Sequence, residues 1–297
     1  MVGKQERRYQ RMITVVLALI SLIMVIPLVL LVVASFTSNN EIVLHGYSFF
    51  PKELSLEAYR YIWNERAQVF HAYGITILVT AIGTTIGVMM TLLYAYVLAH
   101  EKFPGKTFLA FYLFFTMLFN GGLVPTYIMY TRYLQMKNTI PALIIPGLLM
   151  SAFNVILTRT YIQSNVPAAL SEAAKIDGAT EFQVFRKVVL PMCKPIIATV
   201  GLFAGLGYWN DWTNGLYYIT DTNKFSIQQL LNNMIKNIEF LSKNANSNIN
   251  LASVGGGIPQ ETVRMAIAIV GLLPILIVFP FVQKYFVKGI SIGAVKG

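Results

Sequence analysis

The run Ala72–Ala99 carries no charged residue over 28 positions. A helix crosses the hydrocarbon core of a bilayer with about 20 mainly apolar residues, so this run is long enough to span. Five further runs have similar character: Met12–Phe36, Thr107–Thr131, Asn138–Thr158, Pro195–Ile219 and Met265–Phe286. Composition agrees with them. Of the 297 residues 56% are hydrophobic and 12% charged, and the mean hydropathy is +0.60. A soluble domain carries roughly twice that charge fraction. These totals exclude a cytosolic enzyme and a disordered chain. The expectation is an all-α membrane protein with six transmembrane helices, and the even number puts both termini on one side.

Lys4, Arg7, Arg8 and Arg11 precede the first run, and Val33-Ala34-Ser35 offers small residues beyond its middle, which is the layout of a signal peptide. The apolar part of a signal peptide is only about 7–15 residues long, so the run reads as an uncleaved helix. Asn120-Gly121-Gly122 and Pro125 interrupt the third run and predict a kink or a break. Pro141 and Pro146 fall in the fourth, and Asp211 in the fifth.

The net charge of +10 has two readings. A basic surface binds nucleic acid or anionic lipid; basic residues also mark the cytoplasmic loops of membrane proteins. Position decides between them. With the N-terminus inside, fourteen Lys/Arg and five acids fall on the inner side, against nine Lys/Arg and seven acids outside. The excess is therefore topology: both termini cytoplasmic, and no nucleic acid as a partner. One cysteine, Cys193, excludes an intrachain disulfide, and His45, His71 and His100 show no metal-ligand spacing. Neither a catalytic residue nor a metal site is expected. Cys193 reads as a buried thiol, and the histidines as interfacial or core residues.

Two outer segments are long. Thr37–His71 holds aromatic residues (Tyr59, Tyr61, Trp63) and predicts short interfacial helices. In Asp221–Thr262, Ile227, Leu230, Leu231, Met234, Ile238 and Leu241 recur at helical spacing, followed by a polar tip, Asn244–Gly257. Loops of that length usually carry function, although a plain external cap is equally compatible.

The inner loop Arg159–Lys194 is the most specific part. Pro167 suits the first position of a helix and Gly178 the position just past its end. Thr180 and Gln183 form a capping box for a second helix, in which Phe182, Phe185 and Val189 would share a face and which Pro191 would end. A compact helix–turn–helix of this kind is shaped to dock into a groove of a cytosolic partner.

Glu172-Ala173-Ala174, Gly178 and Val188-x-Leu190-Pro191 fit the EAA signature of ABC importer permeases, with Val188 in place of the usual Ile. The string from Glu172 through Asp177, Gly178 and Ala179 resembles the carbohydrate branch of that family. Tyr208-Trp209-Asn210-Asp211-Trp212, Pro259-Gln-Glu261-Thr262 and the tail Phe286–Gly297 resemble its pattern elsewhere, and Asn120–Tyr127 resembles an oligosaccharide-oriented subgroup. The likeness covers about residues 72–297, with the first helix as an expected extra. It implies a type I importer permease fold: 1–71 as tail, first helix and outer loop, 72–290 as the transmembrane domain, 291–297 as a cytoplasmic tail. It also implies a second homologous permease subunit, two cytosolic ATPase subunits holding ATP–Mg, an extracytoplasmic solute-binding protein and a carbohydrate substrate. The coupling helix would be Pro167–Ile176, with Glu172, Ala173, Ala174, Asp177, Gly178 and Ala179 meeting the ATPase. No GxxxxGK[ST] motif occurs in the chain, so the energy must come from a partner.

Asn120, Gly121, Trp209, Asn210, Asp211 and Trp212 are candidates for the substrate pathway, because aromatic faces beside amides and carboxylates suit sugars. The alternative is structural: Asp211 and its neighbours holding helices together, and the glycines only kinking one. An ion-coupled secondary transporter would need intramembrane ionisable residues, of which Asp211 is the one clear case. An ABC permease for a non-sugar solute is the other alternative.

Overall fold

The computed structural model describes residues 4–100, 103–245 and 259–293. The described residues are helical, apart from loops and one isolated bridge between Thr37 and Leu54. Three single helices are long and apolar enough to cross a membrane: Arg8–Ser35, Arg66–Ala99 and Gln260–Pro280. Two bent pairs add to them, Lys106–Leu118 with Leu123–Tyr133 at 114° and Glu181–Met192 with Lys194–Trp209 at 81°.

The chain divides into two compact units. One comprises residues 1–69 and 231–274. Its first helix, α1 (Lys4–Ser35), buries none of residues 8–33 within the chain and only Ala34 and Ser35 at its end, as suits a helix surrounded by lipid or by another subunit. The segment after it holds two short helices, as predicted, α2 (Asn39–His45) and α3 (Glu57–Asn64). Phe36 stacks on Tyr59 at 4.8 Å, and the Tyr59 hydroxyl lies 2.8 Å from that of Ser35, which fixes α3 to the end of α1. The carboxylate of Glu41 accepts the N–H groups of Lys52 and Glu53, and these bonds hold its carboxyl below the usual carboxylate range. Arg264 pairs with Glu261 and Glu239, and the N–H of Glu261 donates to Asn39. Of the predicted tip 244–257, only the last turn of the helix ending at Ala245 lies inside the described residues.

The other unit comprises residues 70–230 and 275–297. Here α4 (Arg66–Ala99) is followed by α5 (Lys106–Leu118) and α6 (Leu123–Ile128), the latter prolonged by a π turn at Met129–Tyr133. The break between α5 and α6 falls at Asn120–Gly122, where it was expected. The fourth apolar run differs from expectation: it is not one helix. A short α7 (Pro141–Ile144) gives way to a turn, and α8 (Ala152–Asn165) starts afresh. Pro146 has no N–H to continue a helix, and Gly147 turns the chain with φ +71°. The fifth run also breaks. Beyond α9 (Ala168–Ile176), α10 (Glu181–Val184) and α11 (Leu190–Met192), α12 (Lys194–Trp209) stops short of Asp211, and α13 (Thr213–Tyr218) follows. Asp211 therefore lies between helices, not inside one. The predicted amphipathic stripe forms α14 (Ile227–Ala245), which lies in the first unit beyond Leu230, and the last run is α15 (Gln260–Gly293), which belongs to the first unit through Pro274 and to the second beyond it.

Two glycines on α4 set how closely its neighbours approach. A methyl group at Gly87 would lie 2.7 Å from the Leu149 carbonyl oxygen, and one at Gly83 would collide with the hydroxyl end of the Tyr208 ring. Small residues spaced by four let backbones come together in membranes. Tyr208 then reaches past α4 to donate its hydroxyl to the Ile144 carbonyl at 2.9 Å. We expect Gly87→Ala to destabilise the detergent-solubilised protein by about 1–3 kcal/mol, because the blocking atom is backbone. Gly83→Ala is expected to cost a similar amount, and truncating Tyr208 in the same protein should add less than it does alone. Thermal melts of the parent, the two glycine variants, the Tyr208 truncation and its combination with Gly83→Ala check both.

Candidate functional site

The helix–turn–helix of the 159–194 loop is built by local rules. Pro167 takes the N-cap of α9 rather than its first helical position, with ψ 128° turning the chain in from α8. At the other end Gly178 has φ +83°. The N–H of Ala179 donates to the Ala174 carbonyl at 2.9 Å and that of Gly178 to the Lys175 carbonyl at 3.0 Å. These are the two bonds of a Schellman end, and they account for the spacing of the motif: the last Ala of the triplet accepts the closing bond, and the glycine supplies the left-handed turn. Thr180 then caps α10. Its hydroxyl accepts the Gln183 N–H, and the Gln183 side chain accepts the Thr180 N–H at 2.8 Å. Two capped helix ends so close together leave this turn little freedom.

Beyond the turn the structure corrects two expectations. Phe182 is 65% exposed, and the buried face is Val184, Phe185 and Val189. Pro191 does not end the helix. A π turn at Phe185–Val189 adds one residue before the proline, the chain stays helical through Met192, and the break comes at Cys193. A π turn shifts the carbonyls that a proline ring would otherwise meet. The buried face packs on Leu92, Ala95 and Leu98 of α4, on Val155 and Ile162 of α8, and on the buried thiol of Cys193.

α9 itself buries no residue. Glu172, Ala173, Asp177 and Gly178 face outward, whereas Ala174 and Ala179 are half-buried against the cluster beneath. Leu170 and Ile176 are exposed, the latter by 86%. The loop thus presents a stiff, partly apolar knob on a packed base.

The six predicted pathway residues occupy two separate bends. At the α5–α6 bend the Asn120 side chain accepts the Gly122 N–H at 2.9 Å, and Gly121 is exposed. At the α12–α13 bend Asn210 donates to the Leu206 carbonyl, and Asp211 accepts the N–H groups of Thr213 and Asn214. Trp209 lies 6.3 Å from Tyr73, and Trp212 is exposed. A cavity of about 380 Å³ opens elsewhere, between α4, the 147–151 turn, α8 and α12. Phe153 and Phe203 offer aromatic faces, and Thr91, Ser151 and Asn154 offer polar groups; none of the six predicted residues lines it. Its lining comes from three stretches far apart in sequence, 87–91, 147–154 and 203–207, so no motif could have announced it. Among the described residues no group of three His, Cys, Asp or Glu could hold a metal ion.

Gly178→Ala forces a left-handed Cβ residue at the helix end, at a cost of about 1–2 kcal/mol. No atom stands within 4 Å of the added methyl, so the cost is purely backbone. We expect hydrogen-exchange protection of the Ala179 amide to fall about tenfold, with part of the loss recovered in Gly178→Asn, since Asn tolerates this conformation.

The chain is similar to proteins whose roles are described. It is 35% identical over 293 residues to the polygalacturonan/rhamnogalacturonan transport system permease protein YtcP of Bacillus subtilis, covering 99% of this chain and all of that one. It is 34% identical over 275 residues to protein LplC of the same organism, covering 93% of this chain and 90% of the relative. Among solved structures it superposes, with a TM-score of 0.75 and 27% identity, on a chain of a bacterial ABC transporter involved in the import of the acidic polysaccharide alginate, covering 96% and 99% of the two chains. Residues 92–292 match the family described as the binding-protein-dependent transport system inner membrane component. With that match running over two thirds of the chain and through the 159–194 loop, the chain belongs to this family, the membrane-embedded permease subunits of ABC importers.

Proposed function

We propose that this chain is one of two homologous permease subunits in an ATP-driven importer that carries an oligosaccharide, acidic in kind, across the cytoplasmic membrane by alternating access. The observation that carries the reading is the exposed α9: stiff at its C-terminal end, seated on a packed base, and with no residue of its own buried. A helix held this way is suited to transmit force and has little role in the chain's own core. In this reading α9 is the coupling helix. Glu172, Ala173, Asp177 and Gly178 meet a cytosolic ATPase subunit, and Ala174 and Ala179 seat the helix on the membrane domain. Two ATPase subunits hold ATP–Mg, and this chain is not itself an enzyme. The Lys/Arg bias puts both termini and the 159–194 loop in the cytoplasm.

The substrate class follows the relatives, which include permeases for polygalacturonan/rhamnogalacturonan and for arabinooligosaccharides and a transporter involved in alginate import. The cavity is in keeping with a sugar. Its volume of about 380 Å³ falls within the range of small-molecule sites. It pairs two aromatic faces with hydroxyl and amide groups and has no charged lining residue. Aromatic rings stack on the C–H faces of sugars, and the polar groups meet their hydroxyls. A neutral lining does not select for acid groups, so that selection belongs to the extracytoplasmic binding protein. The bends at Asn120–Gly121 and Trp209–Trp212 shape the helices around the pathway.

The test is uptake of a labelled oligogalacturonide into proteoliposomes holding this chain, its partner permease and the ATPase subunits, with the binding protein added. Uptake is expected only with ATP. Phe203→Ala and Asn154→Ala should each raise the KM for transport severalfold. Uptake driven by an ion gradient without ATP would overturn the reading, as would full ATP-driven uptake by the Glu172→Ala/Gly178→Pro protein.

A further inference from the structure

One carboxylate fastens the loop that carries α9 to the end of a spanning helix. Glu181, the first residue of α10, points its two oxygens in different directions. Oε1 pairs with Lys175 Nζ of α9 at 2.5 Å. Oε2 accepts the Tyr96 hydroxyl of α4 at 3.0 Å, and His100 Nε2 lies 3.7 Å away. The ring of Tyr96 stands edge-on to His100 at 4.7 Å and packs on Phe185 at 5.1 Å. Among the described residues this is the one place where α9 takes part in an ion pair.

The loop's other attachment to α4 is apolar, through Val184, Phe185 and Val189. Apolar contact holds surfaces together but is non-directional; hydrogen bonds and close ion pairs demand an angle. The carboxylate of Glu181 is therefore the element that orients α9 about the end of α4. The side chains of Lys175 and Glu181 are 38% and 61% exposed. Exposed pairs contribute little to folding, so this contact is suited to direct a movement and not to hold the fold together.

We propose that Glu181 is a positioning residue, a latch through which displacement of α9 by the ATPase is passed to α4 by way of Lys175 on one side and Tyr96 on the other. This rests on the reading of α9 as the coupling helix. The latch makes a distinction that packing alone does not. Without it the ATPase still docks and still hydrolyses ATP, but α9 and the capped turn rock together on the apolar contact with α4 and less of the stroke reaches α4.

The experiment compares Glu181→Gln, Tyr96→Phe and the double variant in the fully assembled transporter, reading sugar imported per ATP hydrolysed and the yield of co-purified ATPase. Each single variant is expected to assemble normally and to import about five- to tenfold less sugar per ATP. The double variant should be no worse than the poorer single one, since both remove the same link. Glu181→Asp, which keeps the charge, should recover part of the ratio. An unchanged ratio in Tyr96→Phe overturns the proposal, as do additive losses in the double variant. If Glu181→Gln fails to assemble, Tyr96→Phe alone decides. Glu172→Ala separates the two readings. If it abolishes uptake while Tyr96→Phe leaves the ratio intact, α9 couples but Glu181 is no latch. If Glu172→Ala leaves uptake intact, the coupling reading itself fails.

Discussion

A backbone N–H or C=O that leaves a helix inside an apolar environment must find a partner in the protein, because lipid offers none. Each break in this chain's long apolar runs meets that requirement with a side chain close by. Asn120 accepts the Gly122 N–H at one bend, Ser151 accepts the Asn154 N–H at the start of α8, and Asp211 accepts two N–H groups at the start of α13. The Tyr208 hydroxyl and the Asn214 amide donate across the unit to the carbonyls of Ile144 and Pro146, which the break around residues 145–151 releases. The polar residues scattered through the apolar runs are thus placed where helices stop. The cavity is a result of the same breaks, since the 147–151 turn and the start of α8 form part of its wall.

The 159–194 loop obeys a related rule outside the apolar runs. Its helix ends are closed by the chain's own groups: a Schellman end at Gly178 and a capping box at Thr180 and Gln183. With its last carbonyls satisfied internally, the C-terminal end of α9 can stay exposed without fraying. Exposure leaves its surface for a partner, and stiffness makes displacement of that surface matter to the helices below. The apolar base of Val184, Phe185 and Val189 supplies the seat, and the polar contacts of Glu181 supply an angle.

Local chemistry makes parts of this arrangement legible in the sequence. Gly178, Thr180 and Gln183 act within a few residues of their partners, so their spacing alone carries the turn. The interruption at Asn120–Gly122 is legible for the same reason. Register across a longer stretch is not. The placing of Phe182 on one face with Phe185 and Val189 assumes 3.6 residues per turn, and the π turn ahead of Pro191 breaks that assumption. The fourth and fifth runs look long enough to span because hydropathy counts residues and is blind to whether a helix stays continuous. The prolines and the glycine of the fourth run are visible, but their combined effect depends on what receives the freed carbonyls, and those donors lie more than 60 residues away.

Taken alone, the sequence determined the membrane class, the positions of the apolar runs, the charge asymmetry and the capped turn that carries the EAA triplet. All of these follow from composition or from neighbours along the chain. Tertiary structure decided where the helices break, that Tyr208 crosses α4 over Gly83, that Phe153 and Phe203 face one cavity with Thr91 and Asn154, and that Glu181 meets Tyr96. Those arrangements bring together residues up to 125 positions apart, and which side chains meet depends on how closely backbones approach. At Gly87 that approach is set by the absence of a single methyl group, whose consequence appears only once Leu149 is beside it.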